Sequence, residues 1–510
     1  MQSARRQRHR RVLSAGGAVG SWGEMFALAL AVAAACAALG CDNGSQRSTQ
    51  PNLLLVTVDS LRADRLGCYG GTPGVGARIC ALGDDGIRYA WAFATASTSA
   101  PAVATILTSR YPSEHGVRAA PASFLRSNTI TLAEELRAAG YLTTAVVSSP
   151  ELNRSRNLHQ GFAHFDDRMS ETRGTGHLTR QAAETTDAAL ASVRGTERPW
   201  FLWVHYRDLH GPYASPADGP TAWPSAPGRS FDQASDRELP ILDDESGRGG
   251  IPRSQAIDGL SRRSHYEAVY DEVLRRVDRE IGRLLDELQA RDDPFGVLLT
   301  ADHGLAFGED DRYLVHGHSL GLEQIRVPLL WQPPRFSKAG GQASSESPER
   351  LSSLPPRQIF QPVSTLAVAP TLLAAGDVPA SEAFAGRRLP SKASEAPSDR
   401  IEPLFAEHPR RIALVSGSHY YARDREASLI VVTNGGDGEP LLDEGALARA
   451  DARIAELWGH SGAEESEVSA RRRAASQRLP SYEAARPAGI APYLEPLVAD
   501  FIASEDRQSE

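Results

Sequence analysis

Between Asn52 and Val58 the chain runs through Leu53, Leu54, Leu55 and Val56 with almost no polar interruption, bounded by Pro51 and Asp59. This pattern predicts a buried strand with Asp59 at its carboxyl end. Runs of the same kind at 142–147, 200–205, 295–300 and 327–331 predict four more. Helical periodicity lies between them. Residues 131–139 open on Thr131 with Glu134 three positions later, the pattern of a capping box, and stop at Gly140. Over 266–288, Val273, Leu274, Val277, Ile281, Leu284, Leu285 and Leu288 fall on one helical face. Strands alternating with helices predict an α/β fold whose large, mainly parallel (mixed) sheet is flanked by helices on both faces. In such sheets a site lies beyond the carboxyl ends of the strands.

Two stretches rich in Pro, Ser, Gly and Asp, 214–264 and 335–358, interrupt this order and predict lids or insertions. After about Gly386 the pattern changes to short runs at 412–415, 419–422 and 427–433, which predict a small antiparallel α+β subdomain followed by a tail of mixed character from Ser461. At the other end, a basic stretch precedes an apolar run at 25–39, then Ala38, Leu39, Gly40 and Cys41: the order of a secretory signal closed by small residues. The run is short for a membrane span, and the alternative to a cleaved signal is an uncleaved anchor helix, which leaves the body outside the cytoplasm as well. The expected organisation is a signal at 1–40, a polar tether at 41–50, a catalytic domain at 51–389 and a C-terminal subdomain with its tail at 390–510.

The 510 residues are 41% hydrophobic and 23% charged, with 44 Gly and 33 Pro, which excludes a fibrous, coiled-coil or wholly disordered chain. Without the first forty residues, which hold five arginines and Glu24, the chain has 50 basic and 63 acidic residues, a balance of −13. So acidic a body repels polyphosphate, so no nucleic-acid partner is expected, and an anionic substrate needs a local positive centre such as a metal ion. Lysine is confined to Lys338 and Lys392. Cys36 and Cys41 fall in or beside the signal, and Cys68 and Cys80 remain as a candidate disulfide or two buried thiols.

Three strand ends carry polar residues that are costly to bury there. Asp59 ends the first strand, Asp302 and His303 follow the one at 295–300, and His210 closely follows the one at 200–205. Singly, an Asp after a strand caps a helix and a His is a satisfied core or surface residue. Together, two carboxylates and an imidazole at one sheet edge repel or strain one another unless a divalent cation neutralises them. Ser99 stands two residues before Pro101 at the start of an expected helix, where free N–H groups and the macrodipole favour a tetrahedral anion. The alternative is that Ser99 is merely the N-cap.

At this point the chain resembles the sulfatase family of the alkaline phosphatase superfamily. LLLVTVDSLRADRLGCYG from Leu53 looks like that family's opening strand and metal-ligand turn, TSAPAVATILTSRYP from Thr98 like its nucleophile helix, FLWVHYRDLHGPY from Phe201 like the segment bearing its active-site histidine, and TADHG from Thr300 like its second metal motif. HGHSLGLEQIRVPLLW from His316 resembles the strand that follows. The likeness implies an alkaline-phosphatase-like fold. It also implies one divalent ion (calcium, magnesium or manganese, with zinc open) held by Asp59, Asp302 and His303, with Ser99 as nucleophile and His210 as the acid that protonates the leaving oxygen. His316, with His318 in reserve, stands where the family often has a cation, and Arg62 is a candidate anion clamp. The N-terminus resembles a bacterial lipoprotein signal. That implies a lipidated Cys41, a membrane partner through the lipid anchor, and an envelope location outside the cytoplasm.

Departures from the family pattern shape the expected activity. Its cysteine, the precursor of formylglycine, is Ser99; the arginine four residues on is Val103; the second of its paired aspartates is Ser60; and neither lysine falls in a motif. An unmodified serine forms a sulfate ester that only water resolves, whereas a phosphoserine is attacked readily in line. The expected activity is metal-dependent hydrolysis of a small-molecule or envelope sulfate or phosphate ester. The alternatives are a phosphoglycerol or phosphoethanolamine transferase, a phosphodiesterase, and a non-catalytic lipoprotein scaffold.

Overall fold

The apolar run after Pro51 forms strand β1 (Asn52–Val58), and all seven of its residues are buried. Continuous burial requires cover on both faces, which is why no polar alternation appears in its sequence. Burial of each such leucine contributes roughly 1.5–3 kcal/mol. The computed structural model describes residues 50–119, 123–171, 178–196, 199–213, 236–291, 293–335 and 357–392, together with four strands between 404 and 433.

In chain order the strands are β2 (Ile87–Phe93), β3 (Leu142–Val147), β4 (His164–Asp166), a two-stranded ribbon of β5 (Ser170–Glu171) and β6 (Leu178–Thr179), then β7 (Trp200–Tyr206), β8 (Phe295–Ala301) and β9 (Arg326–Gln332). Short strands β10 (Arg357–Ile359) and β11 (Val363–Ser364) follow. The main sheet has nine strands in the order β10-β2-β9-β8-β1-β7-β3-β4, with β11 also pairing β2. β1 is parallel to both neighbours, β7 and β8, whereas β9 runs antiparallel to β8 and β2. The five strands expected from sequence are all present, within one residue at each end.

Helices form two groups. Arg263–Gln289 packs against Ala182–Ser192 and Ala77–Asp85, while Ser99–Thr108, Leu132–Ala138 and Val368–Ala375 pack together. The capping box at Thr131 is made in both directions: Thr131 Oγ1 accepts from Glu134 N–H, and the Glu134 carboxylate accepts from Thr131 N–H at 2.9 Å. The 27-residue helix starts three residues before the expected 266. A disulfide joins Cys68 to Cys80, tying the turn after β1 to the helix Ala77–Asp85.

Beyond the main sheet, β12 (Leu404–His408), β13 (Arg411–Ser416), β14 (His419–Asp424) and β15 (Leu429–Thr433) make an antiparallel sheet, one strand larger than expected. Its Ala406 and Ala413 join Trp91 and Phe93 of β2 in an apolar cluster. The signal, Cys41, the tether up to Thr49, much of both expected insertions and the tail lie outside the described residues.

Candidate active site

Strand register assembles the site. Thr57 of β1 lies opposite His205 of β7 on one side and Thr300 of β8 on the other, so the residues just past β1 and β8, Asp59 and Asp302, come side by side at the carboxyl edge. Asp59 is anchored by its own N–H, which donates to the Tyr206 carbonyl at 2.8 Å. Ser60 then turns the chain in the left-handed region, at φ 59°. That turn points the Ser60 N–H at Asp302 Oδ1 (3.2 Å) and the Ser60 hydroxyl at Asp59 Oδ1 (2.9 Å). A backbone of this kind in a non-glycine residue costs about 1–3 kcal/mol and persists because its surroundings hold it. Here the Tyr270 hydroxyl donates to the Ser60 carbonyl at 2.8 Å and accepts the Arg62 N–H at 3.0 Å.

His303 follows Asp302 in a turn that needs Gly304, since a Cβ there would meet the Glu323 carbonyl at 2.0 Å. The His303 N–H donates to Asp302 Oδ1 at 2.8 Å. Its Nδ1 lies 2.8 Å from the Gly304 carbonyl, which can only accept, so the proton sits on Nδ1 and Nε2 is bare. That Nε2 faces Ser99 Oγ at 3.1 Å, Asp59 Oδ1 at 3.6 Å and Asp302 Oδ2 at 3.7 Å.

Ser99 is the first residue of the helix Ser99–Thr108, and the N-cap is Thr98. The reading of Ser99 as a mere N-cap is thereby corrected: its hydroxyl is directed at His303 instead of at the helix backbone. The helix is buried throughout, and Val103, in the place of the family's arginine, is part of the core. It is pinned from below by a chain in which Thr95 Oγ1 donates to Thr105 Oγ1 at 2.7 Å and Thr105 meets His115 Nε2 at 3.2 Å.

Over this cluster stand two histidines that are the more exposed members of the site. His316 stacks on His303 with ring centroids 4.2 Å apart, and its Nε2 is 2.9 Å from His210 Nε2. Its Nδ1 faces the Ser97 carbonyl at 3.1 Å. Gly317, at φ 74°, lets this loop pass Thr98, whose Cγ2 would lie 2.5 Å from a Cβ. Arg207, buried and just past β7, points Nη2 at His210 Nδ1 at 3.0 Å, and the Gly211 carbonyl lies 2.7 Å from the same nitrogen.

The electrostatics are those of a buried charge cluster. Burial, then the charge of Asp59, pushes the Asp302 carboxyl well above its ordinary value. Burial opposes ionisation of Asp59 as well, but His210, His205 and His303 outweigh it and hold Asp59 low. Burial and the Arg207 charge lower His210 to about 3, and burial with the neighbouring His303 lowers His316 to about 4. Both are therefore neutral near pH 7. Three atoms in the cluster, Asp59 Oδ2, Asp302 Oδ2 and His205 Nε2, are buried with no hydrogen-bond partner among the described residues. Ligand atoms of these same three residues lie within 4.8 Å of one another. Orphaned buried acceptors on two adjacent carboxylates fit a bound divalent cation, so the donor set suits a metal.

Asp59, Ser99, His210, Asp302, His303 and His316 are thus brought together as the sequence predicted. Arg62 is not offered to an anion: its guanidinium is spent on Asp64 (2.7 Å), Glu309 (2.9 Å) and the Leu305 carbonyl, which braces the turn after Asp59. His318 Nε2 instead meets Gln324 Nε2 at 3.2 Å. Sequence reasoning assigned no role to His205 or Arg207. A histidine inside the otherwise apolar WFLWVHY strand, and an arginine two positions on along the same face, were the available signals.

Comparison with known proteins bears on the family. The Sulfatase family model matches residues 51–378. An uncharacterized sulfatase of Escherichia coli K12, YidJ, is 23% identical over 385 residues, 67% of this chain and 70% of that protein. The N-acetylgalactosamine-6-O-sulfatase of Bacteroides thetaiotaomicron is 34% identical over 109 residues, a match that spans 21% of each. Among solved structures, the phosphonate monoester hydrolase of Silicibacter pomeroyi aligns with TM-score 0.58 at 20% identity, covering 80% of this chain and 95% of that one. That last likeness shows the alkaline-phosphatase-like fold.

Proposed function

Because this chain belongs to the sulfatase family of ester hydrolases, we propose that it is a metal-dependent hydrolase of sulfuric or phosphoric esters whose nucleophile is an unmodified Ser99. The observation that carries this reading is the 3.1 Å approach of Ser99 Oγ to His303 Nε2 directly beside the Asp59 and Asp302 carboxylates. Asp59, Asp302 and His303 would hold the ion, which would supply positive charge to lower the pKa of the Ser99 hydroxyl and polarise the ester's non-bridging oxygens.

Ser99 Oγ, having given its proton up to bulk water, attacks sulfur or phosphorus in line as the alkoxide, forming the new ester bond as the bond to the leaving oxygen breaks. His210 serves the leaving oxygen. With Nδ1 of His316 committed to the Ser97 carbonyl, its bare Nε2 accepts from His210 Nε2–H in the tautomer that the Arg207 donor at His210 Nδ1 favours over the Gly211 carbonyl beside it, and His210 then carries its proton on the site side. An anionic substrate offsets the Arg207 charge that depresses His210 and so favours proton transfer to the departing alkoxide, an effect of about 10²- to 10⁴-fold. Water then attacks the Ser99 ester, returning one proton to the same histidine as the bond to Ser99 Oγ breaks and releases the alkoxide that began the cycle. An unmodified serine favours phosphoric over sulfuric esters, since phosphoserine is resolved readily by water or by an acceptor hydroxyl. The acceptor route keeps the transferase as second reading.

The cost of burying two adjacent carboxylates speaks against a scaffold that has lost its chemistry. The same reading has the protein outside the cytoplasm, anchored through lipidated Cys41; the Cys68–Cys80 disulfide supports an oxidising compartment. The test is Asp302→Asn and Ser99→Ala on chromogenic sulfate, phosphate monoester and phosphodiester substrates, with mass spectrometry of the Ser99 peptide. Turnover that survives both substitutions overturns the mechanism, and formylglycine at position 99 overturns the phosphoryl preference.

A further inference from the structure

His205 is wholly buried one pleat behind Asp59, on the same face of the sheet, and its two ring nitrogens have unlike surroundings. Nδ1 lies 2.8 Å from Thr57 Oγ1, which also accepts the Trp203 Nε1–H at 2.9 Å. Nε2 has no hydrogen-bond partner among the described residues and stands 3.9 Å from Asp59 Oδ2, too far for a hydrogen bond and suited to two groups separated by an ion. A hydroxyl has two lone pairs and one proton, so Thr57 can accept from both Trp203 and His205 Nδ1–H; in that tautomer Nε2 is bare and aimed at the carboxylates. This is the usual arrangement of a ligating imidazole, whose other nitrogen is fixed by a neighbouring acceptor.

Ser60 does not compete for that place, since its hydroxyl is turned onto Asp59 Oδ1 at 2.9 Å. We propose that His205 is a metal ligand in its own right, so that two carboxylates (Asp59, Asp302) and two imidazoles (His205, His303) enclose the ion, and that this donor set selects a transition metal of the zinc type over calcium or magnesium. The proposal rests on the metal-dependent reading of the site. Its chemistry is that of ligand softness: oxygen cages hold calcium and magnesium, whereas each imidazole shifts preference toward zinc, iron or nickel.

The test uses purified, chelator-stripped protein titrated separately with zinc, manganese, calcium and magnesium by calorimetry, and with cobalt(II) by visible absorption. Wild type is expected to bind one ion and prefer zinc over calcium. Loss of a positioning partner alone typically costs 10- to 100-fold in metal affinity, so His205→Ala should weaken zinc by at least about 100-fold, leave calcium nearly unchanged and alter the cobalt spectrum. His205→Asp keeps a ligand of oxygen type and should move the preference toward calcium, which separates ligation from a folding defect. Wild-type zinc affinity and cobalt spectrum in folded His205→Ala overturn the proposal while leaving the metal-dependent reading intact. Wild type that binds none of these ions overturns both.

Discussion

His210 Nε2 and His316 Nε2 lie 2.9 Å apart across the mouth of the site, two neutral imidazoles sharing one proton position. The Ser97 carbonyl fixes the tautomer of His316, while His210 Nδ1 meets both the Arg207 donor at 3.0 Å and the Gly211 carbonyl at 2.7 Å; in the tautomer that the Arg207 contact favours, the shared proton belongs to His210. Replacing His210 by Gln should lower kcat by about 10²- to 10⁴-fold on esters with poor alkyl leaving groups and much less on nitrophenyl esters, whose oxygen departs without a proton. Equal losses on both substrates would remove His210 from that role.

Arg62 offers a different kind of prediction. Both its partners are largely buried, so Arg62→Met leaves Asp64 and Glu309 without their cation. The expected loss of stability is on the order of 3 kcal/mol, the range for breaking a buried pair, read by denaturant unfolding. KM at a temperature where the variant stays folded should not change; a rise in KM with unaltered stability would restore the anion-clamp role.

His115 should imprint the pH dependence of folding. It is held neutral, accepting the Val117 N–H at Nδ1 (3.0 Å), and burial lowers it to about 3. An unfolded histidine takes its proton near pH 6.5, so between that value and about 3 the unfolded chain binds the extra proton. Stability is complete above pH 6.5 and falls as the pH is lowered, by up to about 1.4 kcal/mol per pH unit for this group. His115→Gln should flatten the curve in that window by about one proton. His210 and His316 act in the same direction and supply the slope that remains.

Removal of the disulfide by Cys68→Ala with Cys80→Ala should cost about 2–4 kcal/mol, with little effect on kcat, because neither cysteine is among the residues that assemble the site. A reducing agent should destabilise wild type and leave the double variant unmoved. Equal melting temperatures in oxidised and reduced wild type would show that the bond contributes nothing.

How far the sequence could be read follows from the range of the interactions involved. β1, β3, β7, β8 and β9 were legible because strands buried on both faces leave uninterrupted apolar runs. β2 was not recognised: its IRYAWAF sequence carries Arg88, which reaches sideways to Gln358 of β10 at 2.8 Å. The helix Ala77–Asp85 begins after Gly76 in the left-handed region with no side-chain cap, so nothing in its sequence announced a start. Asp59, Asp302 and His303 stood out as polar residues at strand ends. His205 did not, because a histidine inside a strand reads as core until register shows it opposite Thr57. The role of Arg62 depended on Glu309, which lies 247 positions away.

Ser99 has no solvent exposure, and every residue of the helix that follows it is enclosed. An enzyme acting on this hydroxyl cannot reach it while Ser99–Thr108 stays enclosed. Any processing of this side chain therefore has to finish on the nascent or still-unfolded polypeptide.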